Sequence, residues 1–246
     1  MKQAVVTGAG TGLGAEIAKQ LSESGYRVGV LDMNGEQAQD TAASLSNAIA
    51  LQANVSDEHE VKRAFEKFGD VPDLLVNCAG VLRTGPFEEQ SVDDYRFVLE
   101  INLLGSCICA RQVAPGMMKR GSGHIINITS IGGIEPSPNG GTYGASKAAL
   151  AMLTKNWSTE WGPKGIRVNA IAPGFIDAGM SKPFLQNPEV RARRIAGVPI
   201  RKLGTASDIA HTVLFLDSEG GSYISGTQTV VDGGVVNNVL TLLPRE

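Results

Sequence analysis

Short apolar runs alternate along the chain with stretches in which apolar residues recur at helical spacing. Residues 4–7 form an apolar, partly β-branched run that ends in glycines, after which Leu13, Ile17, Ala18 and Leu21 fall on one helix face. Gly25 stops that helix, and residues 28–31 make a second apolar run, short enough to be a buried parallel strand. One strand–helix–strand unit is thus complete by Asp32. The same alternation predicts a helix over 36–45, a strand over 48–53, a helix over 58–68 and a strand over 74–77. A long helix over 92–118 then leads to a strand over 125–129, a helix over 143–161, a strand over 167–172, a helix over 207–216 and a last strand over 227–231. The pattern predicts a single doubly wound α/β domain spanning residues 1–246, with about seven parallel strands and helices on both faces. Residues 131–141 and 177–203 are the least regular, and the second stretch reads as a lid at the carboxyl ends of the strands.

Composition narrows the class. The chain is 42% hydrophobic and 19% charged, without a repetitive tract, so it has the apolar surface a folded core needs. A net charge of -3 and scattered Lys and Arg, apart from Arg191, Arg193 and Arg194, exclude a nucleic-acid partner. No stretch approaches the ~20 apolar residues of a membrane span. The chain runs from Met1 into strand-like residues without a cleavable signal, so a cytoplasmic location is expected. Cys78, Cys107 and Cys109 form no CxxC pair, and His59, His124 and His211 stand apart from other ligands, so no metal site is expected. The triplets at Asn54, Asn127 and Asn156 match glycosylation acceptors by chance.

Chemistry enters at the first turn. Thr7-Gly8-Ala9-Gly10-Thr11-Gly12-Leu13-Gly14 lies between a strand and a helix, where bare backbone and free N–H groups can meet a pyrophosphate. This is the position of the phosphate turn in a Rossmann-type domain, and without GK[ST] it is not a P-loop. Asp32 ends the second strand about 20 residues beyond the glycines, where its carboxylate can accept hydrogen bonds from the adenosine ribose and repel a 2′-phosphate. Residues 33–37 hold no Lys or Arg and Thr11 is neutral, so NAD is favoured over NADP.

In the segment 143–147, Tyr143 and Lys147 stand at i and i+4 on one helix face, where a fixed ammonium favours the phenolate and brings Tyr143 toward acid–base range. Ser130, at the carboxyl end of the strand 125–129, can hydrogen-bond the reacting oxygen. Ser130, the YxxxK pair, the TGxxxGxG turn, Asn77-Cys78-Ala79-Gly80 and Pro173-Gly174, in this order and over essentially the whole chain, closely resemble the short-chain dehydrogenase/reductase family.

The resemblance implies a Ser-Tyr-Lys site with Asn102 as its fourth member, anchoring a water that relays protons to Lys147, while Lys147 also grips the nicotinamide ribose. It places Gly8, Thr11, Gly12, Leu13 and Gly14 at the pyrophosphate, Asp32 and Met33 at the adenosine ribose, and Asn77, Ala79 and Gly80 on the adenosine side. Asn54 and Val55 would contact the adenine, Asn54 standing where the family more often has Asp. Pro173, Gly174 and Ile176 would line the nicotinamide, with the Ile176 backbone at its carboxamide; Ala178 replaces a Thr that often adds a contact. The expected activity is hydride exchange between NAD(H) and a secondary alcohol or ketone. The alternatives are an NADPH-dependent 3-oxoacyl thioester reductase, against which Asp32 and Thr11 speak, and a silent NAD-binding regulator. Met180, Phe184 and Leu185 suit an apolar substrate, Glu135, Lys182 and the arginines a polar one. The family also implies a homotetramer, and Leu240, Leu242 and Leu243 in the tail would pack against a neighbour.

Overall fold

Seven strands carry the molecule: β1 (Gln3–Thr7), β2 (Arg27–Asp32), β3 (Ala48–Gln52), β4 (Leu74–Asn77), β5 (Gly123–Ile128), β6 (Ile166–Pro173) and β7 (Gln228–Val231). In the computed structural model, which describes residues 1–238, they pair in the order β3-β2-β1-β4-β5-β6-β7 and every pairing is parallel. All carboxyl ends therefore share one edge, and the order reverses between β1 and β4, the switch point at which such sheets open a crevice. The leucine-rich tail invoked for packing lies outside the described residues.

Both sheet faces are covered because both are apolar. Along β1, Ala4 and Val6 enter one core and Val5 the other; along β4, Leu74 and Val76 separate from Leu75 in the same way. One core lies under α1 (Gly12–Glu23), α2 (Gly35–Ala43) and α9 (Ala206–Asp217), filled by Ile17, Leu21, Ala38, Ile209 and Val213. The other lies under α3 (Glu58–Phe68), α5 (Gly105–Arg120) and α6 (Tyr143–Trp161), filled by Phe68, Val113, Met117, Leu150 and Trp157.

Two expectations need correction. The long helix is α4 (Val92–Leu99), a π turn (Glu100–Leu104) and α5 in series. Together, as Val92–Arg120, they are long and apolar enough to cross a membrane, contrary to the reading that no stretch reaches that length. Half of the apolar window is buried inside the molecule, and α5 packs against α3, β4 and β5, as a core helix does. The stretch 177–203 is not irregular either. It folds into a short turn (Gly179–Ser181), α7 (Lys182–Leu185) and α8 (Pro188–Gly197), with Asn187 capping α8 through the N–H groups of Glu189 and Val190. No residue of α8 is buried, so no apolar stripe announces the helix.

At the amino edge of the sheet sits a buried polar knot. His124 Nδ1 donates to Asp217 Oδ1 at 2.9 Å, and its Nε2 accepts from Asn169 Nδ2 at 3.0 Å, which is the pattern of a neutral imidazole. Asp217 Oδ2 accepts from Tyr26 Oη at 2.6 Å and Lys2 Nζ at 3.0 Å, with Arg167 3.8 Å from Oδ1. Burial pushes the Asp217 carboxyl up, but the hydrogen bonds from His124, Tyr26 and Lys2 prevail and hold it at about 2. Burial pushes the His124 imidazolium down, keeping the ring neutral.

Candidate active site

The glycine turn between β1 and α1 is shaped by backbone that larger residues rarely adopt. Gly8 has φ +65° and approaches Ala79 so closely that a Cβ would lie 2.8 Å from its Cα. Thr7 fixes this approach from below, its Oγ1 accepting the N–H groups of Cys78 and Ala79 at 3.0 Å each. Thr11 is the N-cap of α1 but makes no capping side-chain bond, whereas α2, α3, α4, α8 and α9 are all side-chain capped. The first-turn N–H groups of α1 thus remain available to an anion in the cleft.

Asp32, at the end of β2, faces the same turn. Its Oδ2 accepts the Gly10 N–H at 2.9 Å and its Oδ1 the Asn34 N–H at 3.0 Å. Asn34, not Asp32, caps α2 by accepting the Gln37 N–H at 3.1 Å. A carboxylate fixed this way leaves further lone pairs for ribose hydroxyls.

The candidate acid–base group is assembled by the start of α6. Ser130 follows β5, its Oγ accepting the Gly132 N–H at 3.0 Å, and the tight turn Ile131–Gly133 packs directly on α6. A Cβ on Gly133 would lie 2.8 Å from Ala148 N, so only glycine permits the approach. Ser130 lines the same wall as Tyr143, near enough for its hydroxyl to favour the ionised phenol. Lys147 is 3% exposed, its Nζ donating to the Ile128 carbonyl at 2.9 Å and lying 5.8 Å from the centre of the Tyr143 ring. Burial pulls the Lys147 ammonium down to about 8. Burial also raises the Tyr143 phenol; the nearby Ser130 hydroxyl opposes this and Cys78 adds to it. The direction reverses the sequence expectation, because the ammonium is drawn toward Ile128 while the phenol is desolvated.

Asn102 is brought inward by the π turn and is fully buried. Its Oδ1 accepts the Val81 N–H at 2.7 Å, and its Nδ2 donates to the Val81 carbonyl at 3.0 Å and to Ser146 Oγ at 3.1 Å. Ser146 Oγ in turn donates to the Tyr143 carbonyl at 2.7 Å. The Asn102 amide thus clamps the loop after β4 to the first turn of α6.

One cleft of about 490 Å³ gathers Gly8, Thr11, Gly12, Leu13, Gly14, Asp32, Ala79, Gly80, Ser130, Tyr143, Lys147, Pro173, Gly174 and Ile176. The bridge between Ile176 and Gly204 uses the Phe175 carbonyl and the Asp177 N–H, not the peptide groups of Ile176 itself. Five expected residues do not line the cleft. Met33 is exposed on a separate shallow recess, and Val55 is buried under α5, against Gly105. Asn54 closes its own turn through the Ser56 N–H and hydroxyl. Asn77 is buried, donating to Asn127 Oδ1 at 2.9 Å, and Asn102 acts from behind the wall. Sequence reasoning missed Cys78, Ile128, Thr129, Gly179 and Ser181 as wall residues; for Cys78 the signal was its place inside the Asn77–Gly80 motif. The described residues hold no cluster of metal-ligating side chains.

A doubly wound parallel sheet, an uncapped glycine turn at its switch point and a Ser, Tyr and Lys on the facing wall define a dinucleotide-binding oxidoreductase class. A family model described as enoyl-(acyl carrier protein) reductase matches residues 8–236. The 2-(R)-hydroxypropyl-CoM dehydrogenase of Xanthobacter autotrophicus is 35% identical over 94% of this chain and 96% of its own. The crystal structure of a 3-oxoacyl-[acyl-carrier protein] reductase with bound NAD from Brucella melitensis has a TM-score of 0.88 at 32% identity, covering 95% of this chain and 90% of that one. A gluconate 5-dehydrogenase from Burkholderia cenocepacia, in complex with NADP and tartrate, has a TM-score of 0.91 at 29% identity over 97% and 96% of the two chains. The chain belongs to the short-chain dehydrogenase/reductase family, and its relatives are nicotinamide-dependent oxidoreductases acting on CH–OH or ketone groups.

Proposed function

We propose that the chain exchanges a hydride between NAD(H) and a secondary alcohol or its ketone, with Tyr143 moving the proton. The observation that carries this reading is the convergence of the Ser130 hydroxyl, the Tyr143 phenol and the buried Lys147 ammonium on one cleft wall, opposite the uncapped start of α1. The residues fit a dinucleotide: free N–H groups of α1 suit the diphosphate, the Asp32 carboxylate the adenosine ribose, and the backbone of Pro173, Gly174 and Ile176 the nicotinamide. When bound, the nicotinamide supplies or accepts the hydride. Ser130 holds the substrate oxygen and Tyr143 exchanges a proton with it. Lys147, with an ammonium depressed to about 8, stands beside the phenol and can pass a proton onward. Asn102 keeps the loop after β4 and the start of α6 in register.

Asp32 and neutral Thr11 support NAD over NADP. A second substrate reading, a 3-oxoacyl thioester, is favoured by likeness to the Brucella reductase, whose structure holds NAD. The chain acts as one domain with residues 177–203 as its lid. Free thiols at Cys78, Cys107 and Cys109 suit the reducing cytoplasm. Exposed Phe215, Tyr223 and Val230 near β7, and Leu99, Leu104 and Met152 on the long helices, support a homotetramer.

The test follows NADH absorbance with a panel of alcohols, ketones and 3-oxoacyl thioesters. Tyr143→Phe is expected to lose at least about 100-fold in turnover, the lower range for a general acid–base group, while binding NADH within about twofold of the parent. A variant with near-normal turnover overturns the role of Tyr143. A parent that binds NADH yet turns over nothing in the panel is a silent binder.

A further inference from the structure

Three charged side chains line the cleft: Asp32, Lys147 and Lys182. Two are already committed. Asp32 accepts the N–H groups of Gly10 and Asn34, and Lys147 is buried with its ammonium on the Ile128 carbonyl. Lys182 is exposed, and its ammonium makes no ion pair or hydrogen bond among the described residues.

Its place follows from the backbone before it. The turn Gly179–Ser181 lies directly on the glycine turn, so closely that a Cβ on Gly12 would come 2.9 Å from Gly179 Cα. Lys182 is the next residue, and its four-carbon stem gives the ammonium reach over the same opening. Two nearby arginines are otherwise engaged: Arg191 pairs with Asp177 at 2.7 Å, and Arg194 lies over the Phe175 and Phe184 rings.

The cleft's electrostatics call for such a cation. A dinucleotide brings two negative charges on its diphosphate, whereas the glycine turn offers only neutral N–H groups and Asp32 adds a further negative charge nearby. We propose that Lys182 is a lid-borne cation that closes over the cofactor diphosphate, giving it the N–H groups of α1 on one side and an ammonium on the other. This rests on the reading that the cleft takes a nicotinamide dinucleotide. Dinucleotide binding then also fastens the start of the lid to the glycine turn.

The test measures equilibrium binding of NADH and ADP-ribose by calorimetry, with adenosine as a competitor lacking the diphosphate, for the parent, Lys182→Gln and Lys182→Arg. Lys182→Gln is expected to weaken NADH and ADP-ribose about fivefold, the scale of one partly exposed charge pair. Adenosine binding should not change, Lys182→Arg should restore most of the affinity, and Lys182→Gln should flatten the dependence of Kd on salt. An ADP-ribose Kd within twofold of the parent, or an equal loss for adenosine, overturns the role of Lys182. A parent that binds neither NADH nor ADP-ribose overturns the dinucleotide reading itself.

Discussion

Asp32 is positioned by two backbone N–H groups, at 2.9 and 3.0 Å, before any ligand arrives. A carboxylate so constrained cannot swing away from a 2′-phosphate, and the two would repel in a cleft whose nearest turn has no cation. Asp32→Ser removes the charge and keeps a small acceptor. It should lower the ratio of kcat/KM for NAD over NADP by at least about tenfold, equivalent to ~1.4 kcal/mol. An unchanged ratio would show that preference is set elsewhere. Tyr143 and Lys147 are paired by spacing, since helix geometry puts i and i+4 on one face, and Ser130 by its place at the carboxyl end of a strand; all three line one cleft. Asn77 and Val55 were assigned to the adenosine side, yet Asn77 is spent on Asn127 and Val55 on the core, because a motif marks a neighbourhood without saying which side chain faces outward.

Among the elements, the π turn between α4 and α5 has the largest effect on the site. The widened turn carries Asn102 inward, where both faces of its amide are used on Val81 and one N–H on Ser146. Ser146→Ala would leave that N–H buried without an acceptor, a loss of about 1–3 kcal/mol. A shift of the urea midpoint of corresponding size is expected, and an unchanged midpoint would mean that Asn102 finds another acceptor. Nothing in the side chains 100–104 distinguishes a π turn from an α turn, so it was not legible in advance. By contrast β4, α3 and α6 were read with their observed bounds, since apolar periodicity and turn residues agree there. The helix α8 escaped because it buries no residue, although Asn187 and Pro188 spelled out its start.

At the scale of the whole molecule, the parallel sheet gives its two edges different tasks. Chemistry gathers at the carboxyl ends, while the amino ends hold the His124–Asp217 knot. His124 is neutral in the folded protein because burial lowers its pKa, while the unfolded chain titrates normally near 6.5. Below that pH the unfolded state binds the extra proton, so stability falls as pH drops, by up to ~1.4 kcal/mol per unit. Asp217, at about 2 in the fold against 3.8 unfolded, adds a second loss as pH falls from about 4 toward 2. Between pH 7 and 5 the melting temperature should fall as pH drops, by at most about 3–5 °C per unit. His124→Gln should flatten that slope, and a parent with a constant melting temperature across this range would refute the assignment of a neutral buried ring.

The contact of Gly179 with Gly12 has a kinetic corollary. If the lid begins on top of the phosphate turn, a dinucleotide threads in only while that contact is broken, and the restored contact builds the roof under which an alcohol or ketone sits. On the proposed function, a compulsory sequence is the expected outcome, nucleotide on first and off last, and product-inhibition patterns that fit random binding would overturn it.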